Sequence, residues 1–284
     1  MSSDEQEAQL AVSLALPYLP VFERLIMTEV STYMRDSPHP WTHFIFDSPI
    51  NHRITDAILL KITSKSCGNM KSLILNHCSG ITDGALQTIA ERNPSLQELR
   101  LPGCSSITGE GILSALKALT SPLKILRIDG ISTVNRHHMD LIYESMQLKS
   151  AKETWKPLFY HQGKGEGEGE RPIDVDTCPK CGEGQIVYDC TDEGCGNRAC
   201  IDCIEKCIEC GVCLEDFDEL ERTACDDAMC YDCWSLFPQC ASCELPSCGK
   251  HANEVISVGA FGFVCASCFQ DNEWMSMLVP KISE

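Results

Sequence analysis

The 284-residue chain is 43% hydrophobic and carries a formal charge of −18, a composition that suits two modest folded units and excludes a wholly disordered chain. No stretch approaches the roughly 20 apolar residues of a membrane-spanning helix, and the opening MSSDEQEAQL offers acids where a secretory signal needs Lys or Arg. These features predict a protein of the nucleus, the cytoplasm or both, with no membrane partner.

Residues 1–10 read as a disordered acidic tail. From Ala11, the apolar residues Val12, Leu16, Leu19, Phe22, Leu25, Ile26, Val30 and Met34 recur at helical spacing, cut by Pro17 and Pro20 and ended by DSPHP at 36–40. Pro20 suits the first turn of a second helix. The expectation is a compact three-helix unit over residues 11–45, which would also cap whatever follows.

Residues 46–158 carry an internal repeat. The stretches ITDAILLKI at 54, ITDGALQTI at 81, ITGEGILSAL at 107 and VNRHHMDLI at 134 follow one another at intervals of 26 or 27 residues. MKSLILNHC, LQELRLPGC and LKILRIDGI precede the last three. Each unit predicts a short strand, a turn ending in Cys78, Cys104 or Ile131, and a Thr-capped helix with Leu59/Ile62, Leu86/Ile89 or Ile112/Ala115 on its buried face. These units resemble the cysteine-containing leucine-rich repeat, which implies a short solenoid of three units and a partial fourth. Cys78 and Cys104 are then expected in the core.

HQGKGEGEGERP at 161–172 contains nothing to bury, so residues 159–175 are expected to form a flexible linker. From residue 161 onward 25 acids face 8 Lys and Arg. A phosphate backbone would be repelled by that balance, which argues against nucleic acid as a partner.

Residues 176–284 hold 17 of the 20 cysteines. In a reducing compartment such density points to metal rather than disulfides. The pairs Cys178/Cys181, Cys200/Cys203, Cys207/Cys210, Cys210/Cys213, Cys230/Cys233, Cys240/Cys243 and Cys265/Cys268, with Cys248/His251, have the spacing by which a tight turn aims two ligands at one ion. Cys190, Cys195 and Cys225 complete 18 candidate ligands, enough for up to four tetrahedral zinc ions. One grouping places Cys178, Cys181, Cys200 and Cys203 around one ion and Cys240, Cys243, Cys265 and Cys268 around another, although interleaved sets satisfy the same spacings. Gly182 and Gly211 follow two of the pairs and can take the backbone conformation such a turn requires. Large apolar residues are sparse here, so metal must supply much of the folding free energy. Fully ligated ions leave no position for water, so no hydrolysis is expected.

The segment LPYLPVFERLIMTEVSTYMR at 16–35, with Trp41 beyond it, resembles an F-box. An F-box, short cysteine-type repeats and an acidic Cys-rich tail opening with IDVDTCPKC are together similar to the plant SKP-interacting-partner F-box proteins. The resemblance implies an α/β multidomain architecture: a three-helix F-box-like N-terminus, a short leucine-rich-repeat solenoid and a small zinc-stabilised Cys-rich module. It further implies a non-enzymatic substrate-recognition subunit of an SCF-type cullin ubiquitin ligase, binding a protein substrate. Leu16, Pro17, Leu19, Pro20, Phe22, Leu25, Val30 and Met34 would meet a SKP-type adaptor, and through it a cullin. Two alternatives stay open: a stand-alone RING-like zinc ubiquitin ligase, and a zinc scaffold unrelated to ubiquitin. A RING-between-RING enzyme would need more than the 91 residues from Cys178 to Cys268.

Overall fold

Short parallel strands with one apolar residue in register organise the N-terminal part of the protein. The computed structural model describes residues 41–148, 156–160, 171–214, 220–249, 256–257 and 263–270. These belong to two units, Met1–Trp155 with Glu170–Ile186 and Lys156–Gly169 with Val187–Glu284. The architecture is mixed α/β with several helices and small sheets, and no helix among the described residues is long and apolar enough to cross a membrane.

In the first unit β1 (His43–Phe46), β2 (Ser72–Leu75), β3 (Glu98–Arg100) and β4 (Ile125–Arg127) alternate with α1 (Asp56–Thr63), α2 (Asp83–Arg92), α3 (Gly109–Ala118) and α4 (Arg136–Ser145). The strands pair in chain order, all parallel, because each helix returns the chain to the same edge. Register sets Phe44 opposite Leu73, Leu73 opposite Leu99 and Leu99 opposite Leu126. All four are buried, as are Leu75, Leu101 and Ile128 in the next row and Leu59, Leu86, Ile89, Ile112 and Met139 from the helices. Each such side chain contributes about 1.5–3 kcal/mol by leaving water.

Polar groups lock the units in step. The Asp56 carboxylate accepts the Thr82 N–H at 2.9 Å and hydroxyl at 2.6 Å, and one unit later Asp83 accepts both groups of Thr108 at 2.8 and 2.6 Å. Thr55, Thr82, Thr108 and Asn135 are the N-cap residues of the four helices. Of the threonines, only Thr108 caps with its own oxygen, accepting the Gly111 N–H at 3.2 Å; Thr82 instead donates its hydroxyl to the preceding unit's aspartate. Cys78 and Cys104 are fully buried, and the Cys104 thiol donates to the Leu75 carbonyl at 3.1 Å. The residue before Cys78, Cys104 and Ile131 is left-handed in each unit: His77 (φ 53°), Gly103 (φ 66°) and Gly130 (φ 79°). Glycine is needed at 103, because a Cβ there would enter the His77 ring.

The boundary of the linker differs from the sequence reading, which ran it to residue 175 and opened the module at 176. Residues 171–186 belong to the first unit. Ile173 forms a parallel bridge with Leu126 and is fully buried, and the Leu126 N–H donates to the Pro172 carbonyl at 2.8 Å. Asp174 accepts the N–H groups of Ile128 and Asp129, and Val175 is buried. Asp176 accepts the Tyr143 hydroxyl at 2.9 Å in a buried setting. The alternation Ile-Asp-Val-Asp is that of a strand with one face in a core, a pattern masked by the acidic composition around it.

In the second unit three antiparallel hairpins succeed one another: β7 (Tyr188–Asp189) with β8 (Arg198–Ala199), β9 (Leu220–Arg222) with β10 (Ala228–Cys230), and β11 (Ile256–Ser257) with β12 (Phe263–Val264). Short helices α5 (Tyr231–Leu236) and α6 (Ala266–Gln270) follow the second and third hairpins. Among the described residues of this unit are two small apolar clusters, one around Ile208 and Met229 and one around Val264, both built largely on cysteines. Tyr160 meets Tyr188 edge-on, 5.1 Å between centroids.

Candidate metal centres

Three Cys-x-x-Cys stretches adopt one and the same turn. In the first unit Cys178 N–H donates to the Glu183 carbonyl at 2.8 Å and Gly182 N–H to that of Cys178 at 2.9 Å. The strands flanking it, β5 (Asp176–Thr177) and β6 (Gly184–Gln185), pair antiparallel. In the second unit Cys207 N–H donates to Val212 and Gly211 N–H to Cys207, both at 2.9 Å, between the bridged residues Lys206 and Cys213. Cys240 N–H likewise donates to Leu245 at 2.8 Å and Glu244 N–H to Cys240 at 2.9 Å, between Gln239 and Pro246. The fourth residue after the first cysteine has positive φ each time: Gly182 at 79°, Gly211 at 77° and Glu244 at 62°. The turn leaves both thiols on one side, the arrangement a chelating pair requires.

The other ligand pairs lie in compact turns after each hairpin. Cys203 N–H donates to the Cys200 carbonyl at 3.2 Å, Cys230 is the N-cap of α5 with Cys233 inside it, and Cys265 precedes α6, which contains Cys268.

Among the described residues of the second unit, four groups of ligand atoms gather: Cys207, Cys210, Cys230 and Cys233; Cys240, Cys243, Cys265 and Cys268; Cys190, Cys195 and Cys213; and Cys225, Asp227 and Cys248. In each, all ligand atoms lie within 4.8 Å of one another. Four thiolates around a tetrahedral zinc with bonds of about 2.3 Å stand about 3.8 Å apart. Cys210 Sγ is 3.7 Å from Cys230 Sγ and Cys243 Sγ 4.0 Å from Cys265 Sγ, so these sets could bind metal and are compatible with zinc.

Backbone donors favour the ionised sulfurs. Cys240 Sγ accepts the N–H groups of Ser242 at 3.5 Å and Cys265 at 3.3 Å. Burial pushes its thiol up, but the N–H groups of Cys243, Cys265 and Ser242 outweigh this and bring it down to about 7. Cys207 falls to about 4, chiefly through the hydrogen bond from the Cys210 thiol and against its burial, while Cys210 moves up because it keeps the shared proton. An ion bound in the set would take that proton's place.

Cys178 and Cys181 belong to the first unit, and Cys200 and Cys203 to the second. His251 and the expected adaptor-facing residues Leu16, Pro17, Leu19, Pro20, Phe22, Leu25, Val30 and Met34 lie outside the described residues. Sequence reasoning missed Asp227, which enters a cluster as a carboxylate among thiols. The signal was present in Cys225-x-Asp227, two potential ligands inside a hairpin loop.

Residues 174–243 match the family described as the At3g27290 F-box protein C-terminal domain. Among Arabidopsis thaliana proteins, F-box protein SKIP28 is 32% identical over 278 residues, covering 90% of this chain and 88% of that protein. F-box protein SKIP14 is 33% identical over 76% of this chain, and F-box protein At3g27290 is 32% identical over 74% of it. The chain spans about half of SKIP14 (51%) and 61% of At3g27290. Half of the chain also overlaps 32% of a chain in the crystal structure of the yeast Rad7 and Elc1 complex, at 23% identity and a TM-score of 0.31, too loose a likeness to carry an argument. With an F-box protein matched along nearly its whole length, the chain belongs to the SKIP-type F-box proteins.

Proposed function

We propose that the protein is the substrate-recognition subunit of an SCF-type cullin ubiquitin ligase, an adaptor with no catalytic site of its own. The supporting observation is the similarity to F-box protein SKIP28 over 90% of this chain and 88% of that protein. In this reading residues 11–45 form the three-helix F-box and dock on a SKP-type adaptor, with Leu16, Pro17, Leu19, Pro20, Phe22, Leu25, Val30 and Met34 at that surface. The stacked strands and helices form a leucine-rich-repeat solenoid, and the repeats, the Cys-rich module or both bind the target protein in the nucleus or cytoplasm.

The Cys-rich module is held by zinc, which serves here as a cross-link between short loops and carries out no reaction. Cys207, Cys210, Cys230 and Cys233 hold one ion, and Cys240, Cys243, Cys265 and Cys268 another. The remaining pairs, Cys178/Cys181 and Cys200/Cys203, supply four more thiolates. Small apolar clusters around Met229 and Val264 are too slight to order these loops alone, which is why metal must contribute.

Affinity capture of the full chain tests the assignment. The intact protein should bring down a SKP-type adaptor and a cullin, and deleting residues 1–45 should remove both. Retention of both by the deleted chain sinks the proposal. Ubiquitin-chain formation by the full chain with a conjugating enzyme and no cullin would favour a RING-like ligase instead.

A further inference from the structure

The Cys-rich module runs through one plan three times in chain order. A knuckle opens each copy at Cys178, Cys207 and Cys240; a hairpin follows, β7/β8, β9/β10 or β11/β12; a Cys-x-x-Cys pair closes it at Cys200, Cys230 and Cys265. Taken without overlap, six Cys-x-x-Cys pairs provide twelve thiolates, enough for three ions. Five cysteines are left over, and they do not scatter. Cys190 and Cys195 lie in the loop of the first hairpin and meet Cys213, which leaves the second knuckle. Cys225 and Asp227 lie in the loop of the second hairpin and meet Cys248, which leaves the third knuckle.

We propose that each of these triads holds a metal ion of its own, so that one ion ties each copy to the next and the chain carries five in all. The inference rests on the zinc reading above and extends it to sites that no Cys-x-x-Cys pair defines.

Charge and distance support it. Asp227 Oδ2 lies 3.3 Å from Cys225 Sγ and 3.0 Å from Cys248 Sγ, and the two sulfurs are 3.3 Å apart. A carboxylate and two sulfurs converge there, with Cys248 fully buried, a grouping that a divalent cation explains directly. In the other triad the Cys213 N–H donates to Cys190 Sγ at 3.4 Å. Lys206 places its ammonium 3.1 Å from Cys213 Sγ while only 1% exposed. A buried ammonium needs an anion beside it. Three thiolates around one doubly positive ion leave a single negative charge, which Lys206 neutralises.

Native mass spectrometry of the full chain, expressed with zinc, reads the number directly. The expected count is five, falling to four in Cys213→Ser and to four in Cys248→Ser. A wild-type count of three or four overturns the inference and leaves the zinc reading standing, whereas a chain with no bound zinc sinks that reading itself. If either variant fails to fold, zinc X-ray absorption on the wild-type chain decides. Seventeen thiolates over five ions average about 3.4 sulfurs per zinc, with oxygen or nitrogen in the remainder, whereas an all-sulfur value of 4 overturns the proposal.

Discussion

Asp83 holds Thr108 by two hydrogen bonds at once, its carboxylate accepting the backbone N–H at 2.8 Å and the hydroxyl at 2.6 Å. The two residues head consecutive helices, so the contact fixes how one repeat sits on the next. Asp83→Ala removes two charge-assisted bonds and should cost about 1.5–3 kcal/mol, measured as a fall in melting temperature. Asp56→Ala breaks the equivalent pair with Thr82 at a more exposed position and should cost less.

Gly111 makes the same junction tight. A Cβ at this position would enter the Asp83 carboxylate. Helix propensity alone favours Gly111→Ala by about 1 kcal/mol, yet the variant should melt lower than the wild type because the Asp83–Thr108 pair must move. A higher melting point would show that the carboxylate yields freely.

Asp174 is raised from the usual 3.8 to about 6, chiefly by burial, against the N–H groups of Ile128 and Asp129 and the Arg127 charge. Its folded form therefore binds its proton more tightly than the unfolded chain. Its contribution is complete below about pH 4 and is lost as pH rises through 6, a change of about 2–3 kcal/mol. Denaturation curves of Asp174→Asn should show a shallower decline between pH 4 and 6 than the wild type. Identical slopes would mean that Asp174 does not titrate in this range.

Glu244 occupies the place that Gly182 and Gly211 hold in the other knuckles, with a φ of 62° that costs an ordinary side chain about 1–2 kcal/mol. Glu244→Gly should stabilise the third knuckle by up to about 1 kcal/mol, seen as slower zinc loss to a chelator. Gly211→Glu should do the reverse and more severely, since a Cβ at Gly211 approaches the Tyr160 carbonyl to 2.5 Å.

Chelation should affect the two units differently. Stripping zinc is expected to abolish hydrogen-exchange protection at Cys207, Gly211 and Cys240, whose N–H groups hold the knuckles closed, and to leave Leu101 and Ile112 protected within the first unit. Protection at the knuckles unchanged after complete zinc removal would refute a structural role for the metal.

Much of this was legible because spacing is a local signal. The 26- and 27-residue intervals forecast where Leu73, Leu99 and Leu126 would align, and the glycines at 182 and 211 announced left-handed turns. What escaped depends on partners far along the chain. Nothing near Asp174 tells that the N–H groups of Ile128 and Asp129 await it, so an acidic stretch passed for linker. Asp227 escaped for a different reason. A carboxylate becomes a candidate ligand only when two thiols converge on it, and Cys248 arrives from 21 residues away.

The bridge from Leu126 to Ile173 also has a bearing on synthesis. Beside it the Arg127 guanidinium donates to the Pro172 carbonyl, 45 residues further along the chain. A ribosome adding about 5–20 residues per second needs roughly 2–9 s to deliver the strand that closes the sheet. Through that interval β4 presents an open edge, the part of any sheet most apt to recruit a neighbouring nascent chain.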